Sequence, residues 1–130
     1  PLVTVTDPAP AEARRLVAQA VEPSRLSDED RLDLVTAASE VVTNAQQHGR
    51  PPVVLRIWPA DDHVTVAIHD AGTVPTDPAV GLSRAEREPG GGGMGLWLAH
   101  LLCSQVTMRV DREGFEVRLT AMVDSADGEA

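Results

Sequence analysis

Ser39-Glu-Val-Val-Thr-Asn-Ala-Gln-Gln-His-Gly49 is the stretch on which the reading of this chain turns. Glu40, Asn44 and His48 recur every fourth residue and share one stripe of a helix, while Leu34, Val35, Ala38 and Val42 supply apolar surface. Upstream, Ser27 followed by Asp28, Glu29 and Asp30 makes a strong helix start. Serine caps the free amides there, and the acids oppose the positive end of the dipole. Downstream, Gly49 is placed to be a left-handed stop, and Pro51 cannot continue the helix. The pattern predicts one helix over 28–48.

The polar stripe of that helix has two readings. A carboxylate and a carboxamide one turn apart suit a metal-nucleotide site. The oxygen of Asn44 can ligate Mg2+, which prefers oxygen and keeps several waters, and Glu40 can orient or deprotonate a nucleophile. The plainer reading is an exposed polar stripe on a surface helix. His48 reads as a partner of the C-terminal dipole rather than a ligand or base.

Outward from this helix the hydrophobic period sets the remaining elements. Leu2 to Thr6 alternates as a strand would, Pro8 and Pro10 lead into a first helix over 11–21, and Pro23 stops it. Past Gly49 the period becomes two. Val53 to Trp58 and His63 to His69 form β-branched segments about the turn Pro59-Ala-Asp-Asp62. Ala71 to Gly91 has little periodicity and is longer than most internal connections. A helical pattern returns over Gly93 to Cys103, and Val106–Val110 with Phe115–Met122 make a last hairpin about Asp111-Arg-Glu-Gly114. From Asp124 the chain is acidic and expected to fray, so the domain is expected over 1–123 with a flexible tail over 124–130. This order predicts an α+β fold, a two-layer sandwich with helices on one face of a mixed, mostly antiparallel sheet.

Composition narrows the function. The 130 residues suit one domain, and 20 acids against 11 bases give a net charge of −9 with no lysine, which argues against nucleic acid and anionic membrane as partners. No apolar run approaches the roughly 20 residues of a spanning helix, and no leader pattern opens the chain, so a cytoplasmic protein is expected. Pro1 in place of Met suggests processing or excision from a longer chain. The lone Cys103 excludes a disulfide framework and a cysteine-based zinc site, and reads as a buried thiol. Trp58, Trp97 and Phe115 are the only aromatics, so Val, Leu and Ala must supply the core.

Two further clusters could carry chemistry. Asp70-Ala71-Gly72 stands where a strand leaves the sheet. Asp70 there can accept from an amino group and Gly72 can admit a flat ligand close to the backbone; an Asx turn is the plain alternative. Gly90-Gly-Gly-Gly-Met-Gly95 runs into the helix beginning near Leu96, where free amides and a helix N-terminus favour phosphate; a flexible linker is the alternative.

The order of the clusters is more specific than any one of them. Glu-x-x-x-Asn on a helix, Asp-x-Gly after a strand, a long loop and Gly-x-Gly opening a helix resembles the GHKL ATPases, the group of gyrase, the heat-shock chaperone and histidine kinases. "SEVVTNAQQHG" (Ser39 to Gly49) and "GMGLWLAHLL" (Gly93 to Leu102) look most like the bacterial anti-sigma-factor serine/threonine kinases. The resemblance covers about Leu2 to Thr120.

What it implies is a GHKL ATPase-like fold with ATP and Mg2+ as cofactors. Glu40 would be the catalytic base, Asn44 the Mg2+ ligand, Asp70 the acceptor from the adenine amino group and Gly72 the close-approach glycine. Gly91, Gly93, Met94, Gly95 and Leu96 would surround the triphosphate, and 73–92 would be the lid, with Arg84 and Arg87 as its cations. The implied partners are a sigma factor and a STAS-type anti-anti-sigma antagonist whose serine accepts the phosphate, with Arg14 near the contact and a homodimer as the implied assembly. The alternative is a GHKL-like interaction module cut from a larger signalling protein, including a catalytic domain of the histidine-kinase type.

Overall fold

The computed structural model describes residues 2–72 and 104–123. Its elements are β1 (Val3–Thr6), α1 (Pro10–Val21), α2 (Asp28–His48), β2 (Val54–Pro59), β3 (His63–Asp70), β4 (Gln105–Asp111) and β5 (Gly114–Met122). The strands form one sheet in the order β1-β2-β3-β5-β4, and all four pairings are antiparallel. The expected mixed character therefore does not appear among the described neighbours. β3 and β4 do run the same way, but β5 lies between them and is antiparallel to both.

The helices form where the capping residues place them. Ser27 Oγ accepts from the Asp30 N–H at 3.1 Å and starts α2 at the predicted residue. α1 opens on Pro10, one residue before the expected start, because proline suits a position whose N–H has no helical partner. Gly49 ends α2 with its N–H donating to Ala45 O, but at φ −92° and ψ −159° it is extended rather than left-handed. Its need for glycine is steric and lies in the site described below.

Both helices lie on one face of the sheet. α1 buries Ala13, Val17 and Val21, and α2 buries Leu34, Ala37, Ala38, Val41, Val42 and Ala45. They meet cross-strand rows such as Leu55–Ile68–Val117 and Ile57–Val66–Leu119, whose six side chains are at most 2% exposed. Ala37 and Ala38 have almost no side chain to hold the layers apart, so aliphatic rows without large aromatics close the core. No described helix covers the opposite face. There the Arg118 guanidinium lies 4.8 Å from the Trp58 ring centroid, and its Nε reaches Glu116 at 2.8 Å.

The long loop from Ala71, the helical pattern ending at Cys103 and the acidic tail fall largely or wholly outside the described residues. No described helix is long and apolar enough to cross a membrane.

Candidate functional site

Asp70, the last residue of β3, is the fixed point of the site. It is buried, and its Oδ1 accepts from the Gly72 N–H at 2.7 Å and, more weakly, from the Arg50 N–H at 3.4 Å. Ala71 N–H donates to Arg50 O at 2.8 Å, so the segment that leaves α2 and the segment that leaves β3 are tied together. The Asx turn, which the sequence offers as the plain reading of Asp70, is present. The turn consumes one oxygen and fixes the group, while Oδ2 receives no hydrogen bond from the described residues. An ionised carboxylate is an acceptor only, so the free oxygen suits an N–H donor such as the exocyclic amino group of a base.

Gly49 is the wall on the helix side. A Cβ built on it would stand 2.5 Å from Asp70 Cγ and 2.6 Å from each carboxylate oxygen. The end of α2 thus abuts the carboxylate directly, which is why glycine occupies a position whose backbone angles any residue could adopt.

The third wall comes from the last hairpin, which the sequence reading treats only as a turn. Asp111 Oδ1 accepts from the Glu113 and Gly114 N–H groups at 2.8 Å each. Desolvation pushes the Asp111 carboxyl up, but these two amides and the neighbouring His69 outweigh it and hold it below its ordinary value. Gly114 has φ +148°, and a Cβ there would run into the backbone of Asp70 and Ala71. Phe115, the next residue, pairs in register with Asp70 across β3 and β5. Neither Gly114 nor Phe115 figures among the sequence-predicted site residues; the signal available was glycine closing the Asp111-Arg-Glu-Gly114 turn.

Along α2, one and a half turns before Gly49, stands Asn44. Its Oδ1 is buried and finds no hydrogen-bond partner among the described residues. A buried acceptor left without a donor is costly, so this oxygen is set to take a cation or a ligand donor. The arrangement fits Mg2+, which is held through one or two protein oxygens with water and phosphate completing the shell. Glu40 is exposed one turn earlier, free to meet a nucleophile at the surface. The neighbouring Ser39 is buried, and its Oγ accepts from Nη1 of the exposed Arg14 at 2.9 Å. His48 is exposed in the last turn, where it complements the dipole.

The nine steps from Glu40 to Gly49 rise by about 13.5 Å of helix. Glu40 and Asn44 therefore follow one another along α2, and the Asp70 carboxylate at the end of β3 lies against Gly49 at its end. Gly91, Gly93, Met94, Gly95 and Leu96, like Arg84 and Arg87, lie outside the described residues.

The family described as the histidine kinase-like ATPase domain matches residues 4–121. Among solved structures, the NMR structure of the histidine kinase domain of the E. coli osmosensor EnvZ is similar in fold. It has 13% identity and a TM-score of 0.49, and the alignment covers 95% of this chain and 90% of that one. No curated protein matches. The family match takes in both described helices and nearly all of the five described strands, and the chain belongs to the histidine kinase-like ATPase domain family.

Proposed function

We propose that this chain is a Mg2+-ATP-dependent protein serine/threonine kinase that doubles as an anti-sigma factor. Histidine kinase-like ATPase domains bind ATP, usually with Mg2+, and the site suits that ligand. Asp70 offers the free carboxylate oxygen to the adenine amino group, Asn44 the oxygen for Mg2+, and Glu40 the base that takes a proton from the attacking hydroxyl. The observation that carries the ATP-binding part is the Asp70 carboxylate, pinned by the Gly72 N–H at 2.7 Å with its second oxygen left for a ligand. The anti-sigma part is supported by the motifs Ser39 to Gly49 and Gly93 to Leu102. In this reading the phosphate passes to a serine of a STAS-type antagonist, and the same domain sequesters a sigma factor in the cytoplasm.

The test has two stages. Titration calorimetry of ATP and ADP, with and without Mg2+, should show Mg2+-dependent binding that Asn44→Ala weakens. Radiolabelled ATP with a STAS-type antagonist should then label a serine, and Glu40→Gln should abolish transfer while ATP affinity stays within a few fold, since a base acts on the transition state. Undiminished transfer in Glu40→Gln would remove Glu40 from the role of base. ATP binding without any serine transfer would favour the second reading, an ATP-binding module of a larger signalling protein, which the histidine kinase-like family description also accommodates.

A further inference from the structure

We infer that Arg14 is a positioning residue: by its hydrogen bond to the buried Ser39 it fixes how α2 is turned about its own axis, and so where Glu40 and Asn44 face. The effect on phosphoryl transfer rests on the kinase reading above, while the setting of α2 does not.

Helix geometry carries the first step. Ser39 and Thr43 stand one residue before Glu40 and Asn44, so the two pairs form parallel stripes about 100° apart around α2. Ser39 is buried, whereas Glu40 is exposed. Any rotation of the helix that moves Ser39 therefore carries the carboxylate and the carboxamide with it.

Packing alone sets that rotation loosely. Around Glu40 the inward face of α2 consists of Ala37, Ala38, Val41, Val42 and Ala45, whose short side chains make shallow ridges. Shallow ridges lock the rotation of a helix less firmly than long side chains seated in grooves. A polar tether supplies what they lack. Arg14 Nη1, on α1, donates to Ser39 Oγ at 2.9 Å, and among the described residues this is the one side-chain hydrogen bond that joins α1 to α2. Its donor is charged and its acceptor is buried, the combination in which a hydrogen bond is strong and its loss is costly. Within the same turn Thr43 Oγ1 donates to Ser39 O at 2.9 Å, so the residue before Asn44 is tied to the residue before Glu40. Arg14 thus holds, from α1, the turn of α2 that carries both groups of the site.

An arginine that acts through Ser39 differs in its consequences from one that touches a partner, because Ser39 is only 6% exposed. The experiment compares Arg14→Gln, Arg14→Lys, Ser39→Ala and the double variant of Arg14→Gln with Ser39→Ala, all on the full chain. Ser39→Ala leaves no buried donor behind, since the exposed Arg14 can turn to water, so melting temperature should change little. Asn44 is the only asparagine, so 15N-asparagine labelling gives a single side-chain amide group to follow in the nucleotide-free chain. That signal should move alike in Arg14→Gln and Ser39→Ala, although only the first removes a charge. With Mg2+-ATP and a STAS-type antagonist, both should lower kcat about tenfold while KM for ATP and for the antagonist stays within about twofold, as a misdirected base requires. The double variant should lose no more than either single one, and Arg14→Lys should recover part, because an ammonium can still donate one hydrogen bond.

An unmoved Asn44 signal overturns the inference. So do additive losses in the double variant, or an Arg14→Gln defect that lies in KM for the antagonist and is absent from Ser39→Ala. A wild type that transfers no phosphate overturns the kinase reading instead, and the Asn44 signal then decides the setting of α2 by itself.

Discussion

Gly49 and Asp70 meet so closely that a single added carbon on the glycine would lie 2.5 Å from the carboxylate carbon. The close atoms all belong to the Asp70 side chain, which the Gly72 and Arg50 N–H groups hold, so relief of the contact means turning the carboxylate out of those hydrogen bonds. Gly49→Ala should destabilise the fold by about 1–3 kcal/mol through overpacking. It should also displace the carboxylate and weaken ATP binding. Urea unfolding and nucleotide titration on the same variant check both, and a variant as stable and as tightly binding as the wild type would contradict the contact.

Asp70→Asn separates the two roles of that side chain. The amide oxygen can still accept the Gly72 N–H, so the turn survives, while the other position changes from acceptor to donor. ATP affinity should fall by about tenfold or more, in line with a lost charge-assisted hydrogen bond of about 1.5–3 kcal/mol. The melting temperature should move little. Calorimetry beside a thermal melt distinguishes this from general unfolding.

The hairpin turn predicts a dependence on acid. Asp111 sits below its ordinary carboxyl value in the folded chain, so the folded state is favoured while the group is ionised. That contribution is present above the unfolded value, about pH 4, and is lost as pH falls through the lower folded value. Asp62, lowered chiefly by its hydrogen bond with His63, acts in the same direction. Asp111→Asn should flatten part of the stability loss below about pH 4, read from urea midpoints across pH. An unchanged slope would show that the turn does not contribute to it.

On the sheet face that no described helix covers, Arg118 joins the Trp58 ring and the buried Glu116 carboxylate. Arg118→Ala should cost about 1–2 kcal/mol by removing the cation over the ring and leaving the carboxylate without its partner. The emission of Trp58 should shift as well. Arg118→Lys should recover only part, because a compact ammonium cannot lie flat on the indole while reaching the carboxylate.

Much of this architecture is visible in the residues themselves. Ser27 with its three acids and the Leu34 to Val42 apolar pattern place α2 at its observed ends, and the change to period two after Gly49 locates both hairpins. Those signals are local. What local signals cannot carry is why Gly49 is a glycine, since the reason is a carboxylate 21 residues further along the chain. The same limit hides Gly114 and Phe115, which reach Asp70 through a pairing between strands with 43 residues between them, β4 among them. That the two oxygens of Asp70 have different surroundings, one held by the Gly72 and Arg50 N–H groups and the other not among the described residues, is likewise visible only in three dimensions.

The strand order has a consequence for how the protein is made. β5, the last described strand in sequence, lies inside the sheet between β3 and β4. During synthesis β3 has no neighbour on that side until β5 emerges, so Asp70 waits beside an open edge for residues some 45 positions later. A nascent chain with β1 through β4 complete would already display Glu40, Asn44 and Asp70, yet would lack the Gly114 backbone that closes against Asp70 and Ala71. The corner that Asp70 forms is therefore complete only once β5 has been made.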